Sequence, residues 1–222
     1  MKKTIILAAC LLYSIQFTYA QGGITVLRGT PVLADVTNNV EGTPYLSRDF
    51  SLGSILLING VTKLDNLKLK FNAFKDFVSY KDNEGNEMLI ANSVKWFTIE
   101  NEGRMLTFQK GFPTIEKYDE NTYYEVLNKK GGPMILKKHI KTLLSRKEYN
   151  SSKVTDTYLD ERKYFVLSET AGMSKFKTDK KSLATYFPGK EKEMNEYIAK
   201  NKINFKDDQD LEKLFDFYIA IK

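Results

Sequence analysis

The single histidine, His139, is the side chain whose ordinary titration lies nearest neutrality, and it stands in the run Lys137-Lys138-His139-Ile140-Lys141. Ammonium neighbours favour the neutral imidazole, so the expectation is a solvated histidine on a strand face rather than a general base. One histidine cannot build a His-rich metal site, and it leaves a Ser-His-Asp or Cys-His arrangement one candidate base. Gly-x-Ser-x-Gly, Gly-x-Gly-x-x-Gly and Gly-x-x-x-x-Gly-Lys-Ser/Thr are all absent from the chain. Carboxylates are the remaining catalytic option. Glycoside hydrolysis needs two of them about 5 to 9.5 Å apart, which no spacing in sequence can exclude. Asp207-Asp208-Gln209-Asp210 reads as a helix cap, because a calcium loop of the EF type needs a central Gly and a closing Glu. Asp82, Asn83, Glu84 and Asn86 around Gly85 read as a polar hairpin turn. No cofactor and no metal are expected.

Charge is the feature with a direction. The chain carries a net +6, and its cations are concentrated: Lys129, Lys130, Lys137, Lys138, Lys141, Arg146, Lys147 and Lys153 face one acid, Glu148. If residues 134–144 form a strand, Met134, Leu136, Ile140 and Leu144 share one face while Lys137, His139 and Lys141 share the other. Lys137, His139, Lys141, Arg146 and Lys147 are therefore the candidate residues for binding an anionic surface, each basic group near a charged membrane being worth about 1 kcal/mol. The competing accounts are a solvated sheet face and an edge strand guarded by lysines. Leu136, Ile140, Leu143 and Leu144 also fit a helical stripe. So modest a net charge does not predict nucleic-acid binding.

The elements that must carry these residues follow from periodicity. Residues 1–20 read as a signal peptide cleaved before Gln21: Lys2 and Lys3, an apolar stretch, then Thr18-Tyr19-Ala20. Leu7-Ala8-Ala9-Cys10 resembles a lipobox, but lipidation there would place apolar residues where a polar tether belongs. Cys10 is the only cysteine, so loss of the leader removes disulfides, thiol catalysis and zinc fingers. Residues 21–50, with the echoes Gly29-Thr30-Pro31-Val32-Leu33 and Gly42-Thr43-Pro44-Tyr45-Leu46, read as an extended segment. Residues 51–178 read as an antiparallel β domain with strands at 54–59, 67–72, 74–81, 88–91, 94–100, 104–109, 122–128, 134–144, 153–159, 163–168 and 173–177. Asn59-Gly60 is expected as a two-residue hairpin turn. Thirteen Tyr and 14 Phe give these strands unusual aromatic content, read as cross-strand packing.

Residues 179–222 read as a helical segment packed on the sheet. A helix capped by Asp207 or Asp208 carries Leu211, Leu214, Phe215, Tyr218 and Ile219 on one stripe, preceded by helices at 179–187 and 191–200. The fold class is thus α+β, mostly β: an antiparallel meander, as a twisted sheet or open barrel, with C-terminal amphipathic helices. An outer-membrane barrel is disfavoured, because its strands need about 9 to 11 residues and an unbroken apolar band. The mature chain is expected to have no transmembrane segment.

Gly42-Thr43-Pro44-Tyr45-Leu46, the stretch from Asn66 to Phe77, and the tail from Lys180-Lys181-Ser182-Leu183 through Tyr197-Ile198 and Asn204-Phe205-Lys206 to Leu211 resemble a group of exported, uncharacterised proteins of Bacteroidota. The resemblance implies export, to the periplasm or the cell surface, and adds nothing about mechanism. The expected function is an exported non-enzymatic cell-envelope or surface protein that binds a protein partner or an anionic lipid or glycan surface. The alternative is a carboxylate-dependent glycan hydrolase.

Overall fold

The structure, a computed structural model, describes residues 27–33, 40–91, 94–128, 131–147 and 154–222. The expected signal peptide, Cys10, Lys129, Lys130, Glu148 and Lys153 lie outside the described residues. Twelve strands form one sheet: β1 (Gly29–Pro31), β2 (Val40–Glu41), β3 (Ser51–Leu57), β4 (Lys63–Asn72), β5 (Phe77–Lys81), β6 (Glu87–Ile90), β7 (Val94–Asn101), β8 (Arg104–Gln109), β9 (Tyr124–Val126), β10 (Met134–Lys147), β11 (Val154–Ser168) and β12 (Gly172–Lys175). Their spatial order is β1-β6-β5-β4-β3-β7-β8-β9-β10-β11-β12. Every pairing along that path is antiparallel, while β2 runs parallel beside β11. Among the described residues three helices follow: α1 (Lys180–Tyr186), α2 (Glu191–Asn201) and α3 (Asp208–Ile221). The fold is α+β and mostly β, with an open antiparallel sheet and C-terminal helices. No helix among the described residues is long and apolar enough to cross a membrane.

The main departures from the periodicity are in the longest and shortest strands. The expected strands at 153–159 and 163–168 are one strand, β11, because Asp160, Glu161 and Arg162 continue the ladder opposite Lys141, Ile140 and His139. Polar residues between two apolar runs looked like a turn, yet both strands remain paired throughout. Residues 134–144 form the strand, and the helical alternative is set aside. Asn59-Gly60 is not a two-residue turn. β3 ends at Leu57 and β4 begins at Lys63, and the Asn59 side chain accepts from the Val61 and Thr62 amides, closing a longer loop.

The two short strands before β3 serve both ends of the sheet. β1 pairs with β6, and β2 reaches β11 at the other end of the strand order. At most about 3.6 Å per residue separates Pro31 from Val40, so the two ends lie within roughly 30 Å of each other. The sheet is strongly coiled, and the β4–β5 turn meets β10: Lys141 N–H donates to the Ala73 carbonyl at 3.4 Å.

Three apolar layers result. Strands β3 to β8 enclose Ile55, Leu69, Phe71, Phe97, Ile99 and Phe108, where Phe97 and Phe108 stack at 4.8 Å. The helices cover Ile135 and Val166 with Phe187, Leu211, Leu214, Phe215 and Tyr218. On the opposite face of β9 to β11, Tyr124, Leu136 and Phe165 pack under Phe112 and Tyr118 from the connection after β8. A fully buried side chain of this size contributes about 1.5 to 3 kcal/mol, so the β10–β11 hairpin, with Ile135 and Val166 in one layer and Leu136 and Phe165 in another, fastens two layers together.

Candidate functional site

Strand alternation puts Lys137, His139 and Lys141 on one face of β10, as the sequence indicates, but that face is already occupied. Lys137 Nζ donates to Asp208 Oδ2 at 2.6 Å and lies 3.7 Å from Glu125 Oε2. His139 Nε2 stands 2.6 Å from Glu125 Oε2, and its ring centre is 5.5 Å from that of Phe108. Lys141 Nζ lies 2.5 Å from Asp160 Oδ1, its cross-strand neighbour. His139 is therefore a packed, carboxylate-paired histidine and not a solvated one. Asp208 is the first residue of α3, so the ion pair it makes with Lys137 ties the helical layer to the sheet. Burial by itself would raise the Asp208 carboxyl, but hydrogen bonds from Lys137 and from the Tyr164 hydroxyl at 2.7 Å, with the charge of Arg162, hold it below its ordinary value. Tyr164 is raised by burial and by that same carboxylate.

Of the five candidates for an anionic surface, Arg146 and Lys147 are the exposed ones. They lie where the β10–β11 hairpin has left β9, which pairs with Leu136 and Lys137, and β12, which pairs with residues 165–168, while β2 runs beside Asp156 and Thr157. Residues 142–147 are all exposed, and Leu143, Leu144, Val154 and Leu159 show 36%, 42%, 49% and 45% of their surface. The hairpin thus ends in an arm that is apolar on both faces and cationic near its end.

A second group of titratable residues was not legible in the sequence. Asp76 is the last residue of the turn between β4 and β5 and has φ of 59°, a conformation that glycine adopts freely and Asp tolerates. Its carboxylate holds that position by accepting from the Tyr123 amide at 3.2 Å and from Lys138 Nζ at 2.5 Å. Lys138 Nζ also donates to the Tyr123 carbonyl at 3.2 Å, and its side chain is 5% exposed. Burial raises the Asp76 carboxyl against the pull of Lys138, and burial lowers the Lys138 ammonium against the pull of Asp76.

Asp76 separates two concavities. One, about 270 Å³, runs along β5 to β7 and includes Lys110 and Tyr123. The other, about 390 Å³, is lined by Ala73, Phe74, Asp76, Lys117, Tyr118, Lys138, Ile140, Lys141 and Thr142. Tyr118 is 6% exposed, and its hydroxyl has no hydrogen-bond partner of good geometry among the described residues. The only signal that could have found this group is Asp76 itself, a carboxylate in a turn position where Asn or Gly would serve equally well.

Among the described residues no three His, Cys, Asp or Glu side chains gather as a metal site. Asp207 caps α3 by accepting from the Gln209 and Asp210 amides, and Asp82 closes the β5–β6 turn by accepting from Glu84 and Asn86. Glu125 and Asp208 meet on the Lys137 ammonium, and each cavity beside Asp76 holds Asp76 as its single carboxylate. No family model matches the chain, and no curated protein or solved structure is significantly similar to it.

Proposed function

We propose that this is an exported, non-enzymatic envelope or surface protein, of the Bacteroidota type that its sequence resembles, which docks on an anionic envelope surface through the arm of the β10–β11 hairpin. The observation that carries the reading is the arm's composition: four exposed aliphatic side chains beside Arg146 and Lys147, on strands whose sheet neighbour there is the short β2. Two basic groups contribute about 2 kcal/mol at an anionic surface, and apolar area withdrawn from water adds about 25 cal/mol per Å². Lys137 is paired with Asp208 and Lys141 with the exposed Asp160, so the reading assigns neither a part.

The test is cosedimentation with anionic and neutral vesicles across a salt series. The wild type should bind anionic vesicles at low salt and lose binding as the Debye length shrinks from roughly 30 Å to a few ångströms. Arg146→Glu/Lys147→Glu should reduce partitioning at least tenfold, and Leu143→Ser/Leu144→Ser should reduce it with little change in salt slope. Equal binding of wild type and charge-reversed protein, or none at low salt, would overturn the reading. The competing hydrolase reading needs two carboxylates about 5 to 9.5 Å apart in one cleft, and the cavity beside Phe74 offers Asp76 with Lys117 and Lys138.

A further inference from the structure

We propose that the 390 Å³ concavity at the root of the arm, where Phe74, Asp76, Lys117 and Lys138 meet, binds a carboxylated sugar, either free or as a unit of an acidic polysaccharide. The site is distinct from the tip of the arm and does not depend on its role. Its volume falls within the roughly 300 to 1,000 Å³ typical of small-molecule sites.

The chemistry of the lining selects the ligand class. A sugar hydroxyl both donates and accepts, and Asp76 and Lys138 supply an acceptor and a donor 2.5 Å apart. Neither group is exhausted by the other. An ammonium carries three protons, and Lys138 spends two, on Asp76 and on the Tyr123 carbonyl. A carboxylate has about four lone-pair sites, of which Asp76 uses one for Lys138 and one for the Tyr123 amide. Phe74 is 41% exposed and rests edge-on against Tyr158, 5.4 Å between centres, so an apolar ring stands at the rim for the C–H face of a pyranose.

Charge distinguishes an acidic sugar from a neutral one. Three ammonium groups, Lys117, Lys138 and Lys141, line the concavity against one carboxylate, Asp76. Lys138 and Lys141 face carboxylates of their own, whereas Lys117, exposed and 5.7 Å from the centre of the Tyr118 ring, is placed to take the sugar's carboxylate. Buried positioning by Lys138 and peripheral capture by Lys117 divide the work between hydroxyl and acid recognition.

The experiment is titration calorimetry of the protein with D-galacturonate, a galacturonate trimer, D-galactose and acetate. Galacturonate should bind at least tenfold more tightly than galactose or acetate, and Phe74→Ala and Lys117→Ala should each weaken it about tenfold. Both positions are exposed, so these variants should fold, which thermal unfolding checks. A trimer that binds more tightly than the monomer identifies a polymer unit as the ligand, and equal affinity identifies the free sugar. Arg146→Glu/Lys147→Glu should leave sugar binding unchanged, separating this site from the vesicle-binding surface. Acetate equal to galacturonate would overturn sugar recognition, galactose equal to galacturonate would overturn acid recognition, and no binding, or wild-type affinity in both cavity variants, would overturn the site.

Discussion

Asp76 and Lys138 show how two side chains of opposite charge are each made expensive by burial and held by the other. Removing the carboxylate leaves an ammonium that is 5% exposed without its counter-ion, so Asp76→Ala should destabilise the protein by about 3 kcal/mol in urea unfolding. Asp76→Ala/Lys138→Met should regain most of that loss, since a methionine in that place lies near the Phe71 ring, which Lys138 Nζ approaches to 5.9 Å. A double variant as unstable as the single one would show that the pair does more than neutralise itself. Asp208 gives the complementary pH prediction. Its carboxyl is held below 3.8 in the folded state, so its stabilisation is present above the unfolded value and is lost as pH falls through the folded one. Asp208→Asn should therefore be less stable than wild type at neutral pH, and the gap should narrow below about pH 4, as unfolding midpoints across pH would show. Asp76 has the opposite sign, being raised, so its ionisation opposes folding and its contribution becomes more favourable as pH falls.

Elements are fixed here by close approach as much as by propensity. Gly53 lies in β3 where the ladder to β4 shifts register, and a β-carbon there would stand 2.0 Å from the Thr98 carbonyl oxygen of β7. Gly53→Ala should cost at least about 2 kcal/mol, read from the urea midpoint, because backbone and not a flexible side chain must move. A change within about 0.5 kcal/mol would mean that β3 and β7 can separate locally without cost. The α3 helix shows the opposite case, in which local signals suffice. Asp207 caps it, and Leu211, Leu214, Phe215 and Tyr218 are all buried on the stripe that the sequence spacing marks.

At the scale of the molecule, β10 joins the three apolar layers. Ile135 faces the helices, Leu136 faces the opposite layer, and His139 and Lys138 touch Phe108 and Phe71 of the first layer. Such sharing predicts a single cooperative transition. Trp96, the only tryptophan, lies in β7, whereas the helical signal in far-ultraviolet circular dichroism comes from α1 to α3, so the two probes report different parts of the fold. Their urea transitions should coincide, and Phe215→Ala should lower both midpoints together by destabilising about 3 to 5 kcal/mol. Separate midpoints would show that the helical layer unfolds on its own.

The sequence by itself determined the elements whose signals are local. Period-two runs gave β8 its bounds and β7 all but its last residue, a period-3.6 stripe with an Asp cap gave α3, and the mostly β class with terminal helices followed from their order. It also marked Lys137, His139, Lys141, Arg146 and Lys147 as a cationic cluster. Only the tertiary structure decided which of those charges remain available, because their partners Glu125, Asp160 and Asp208 come from β9, β11 and α3. Electrostatic pairing depends on distance in space, and a strand lists its charges without stating what is folded over them. The same reason hid the Asp76 and Lys138 site, whose two halves lie 62 residues apart and meet only because the sheet coils the β4–β5 turn onto β10.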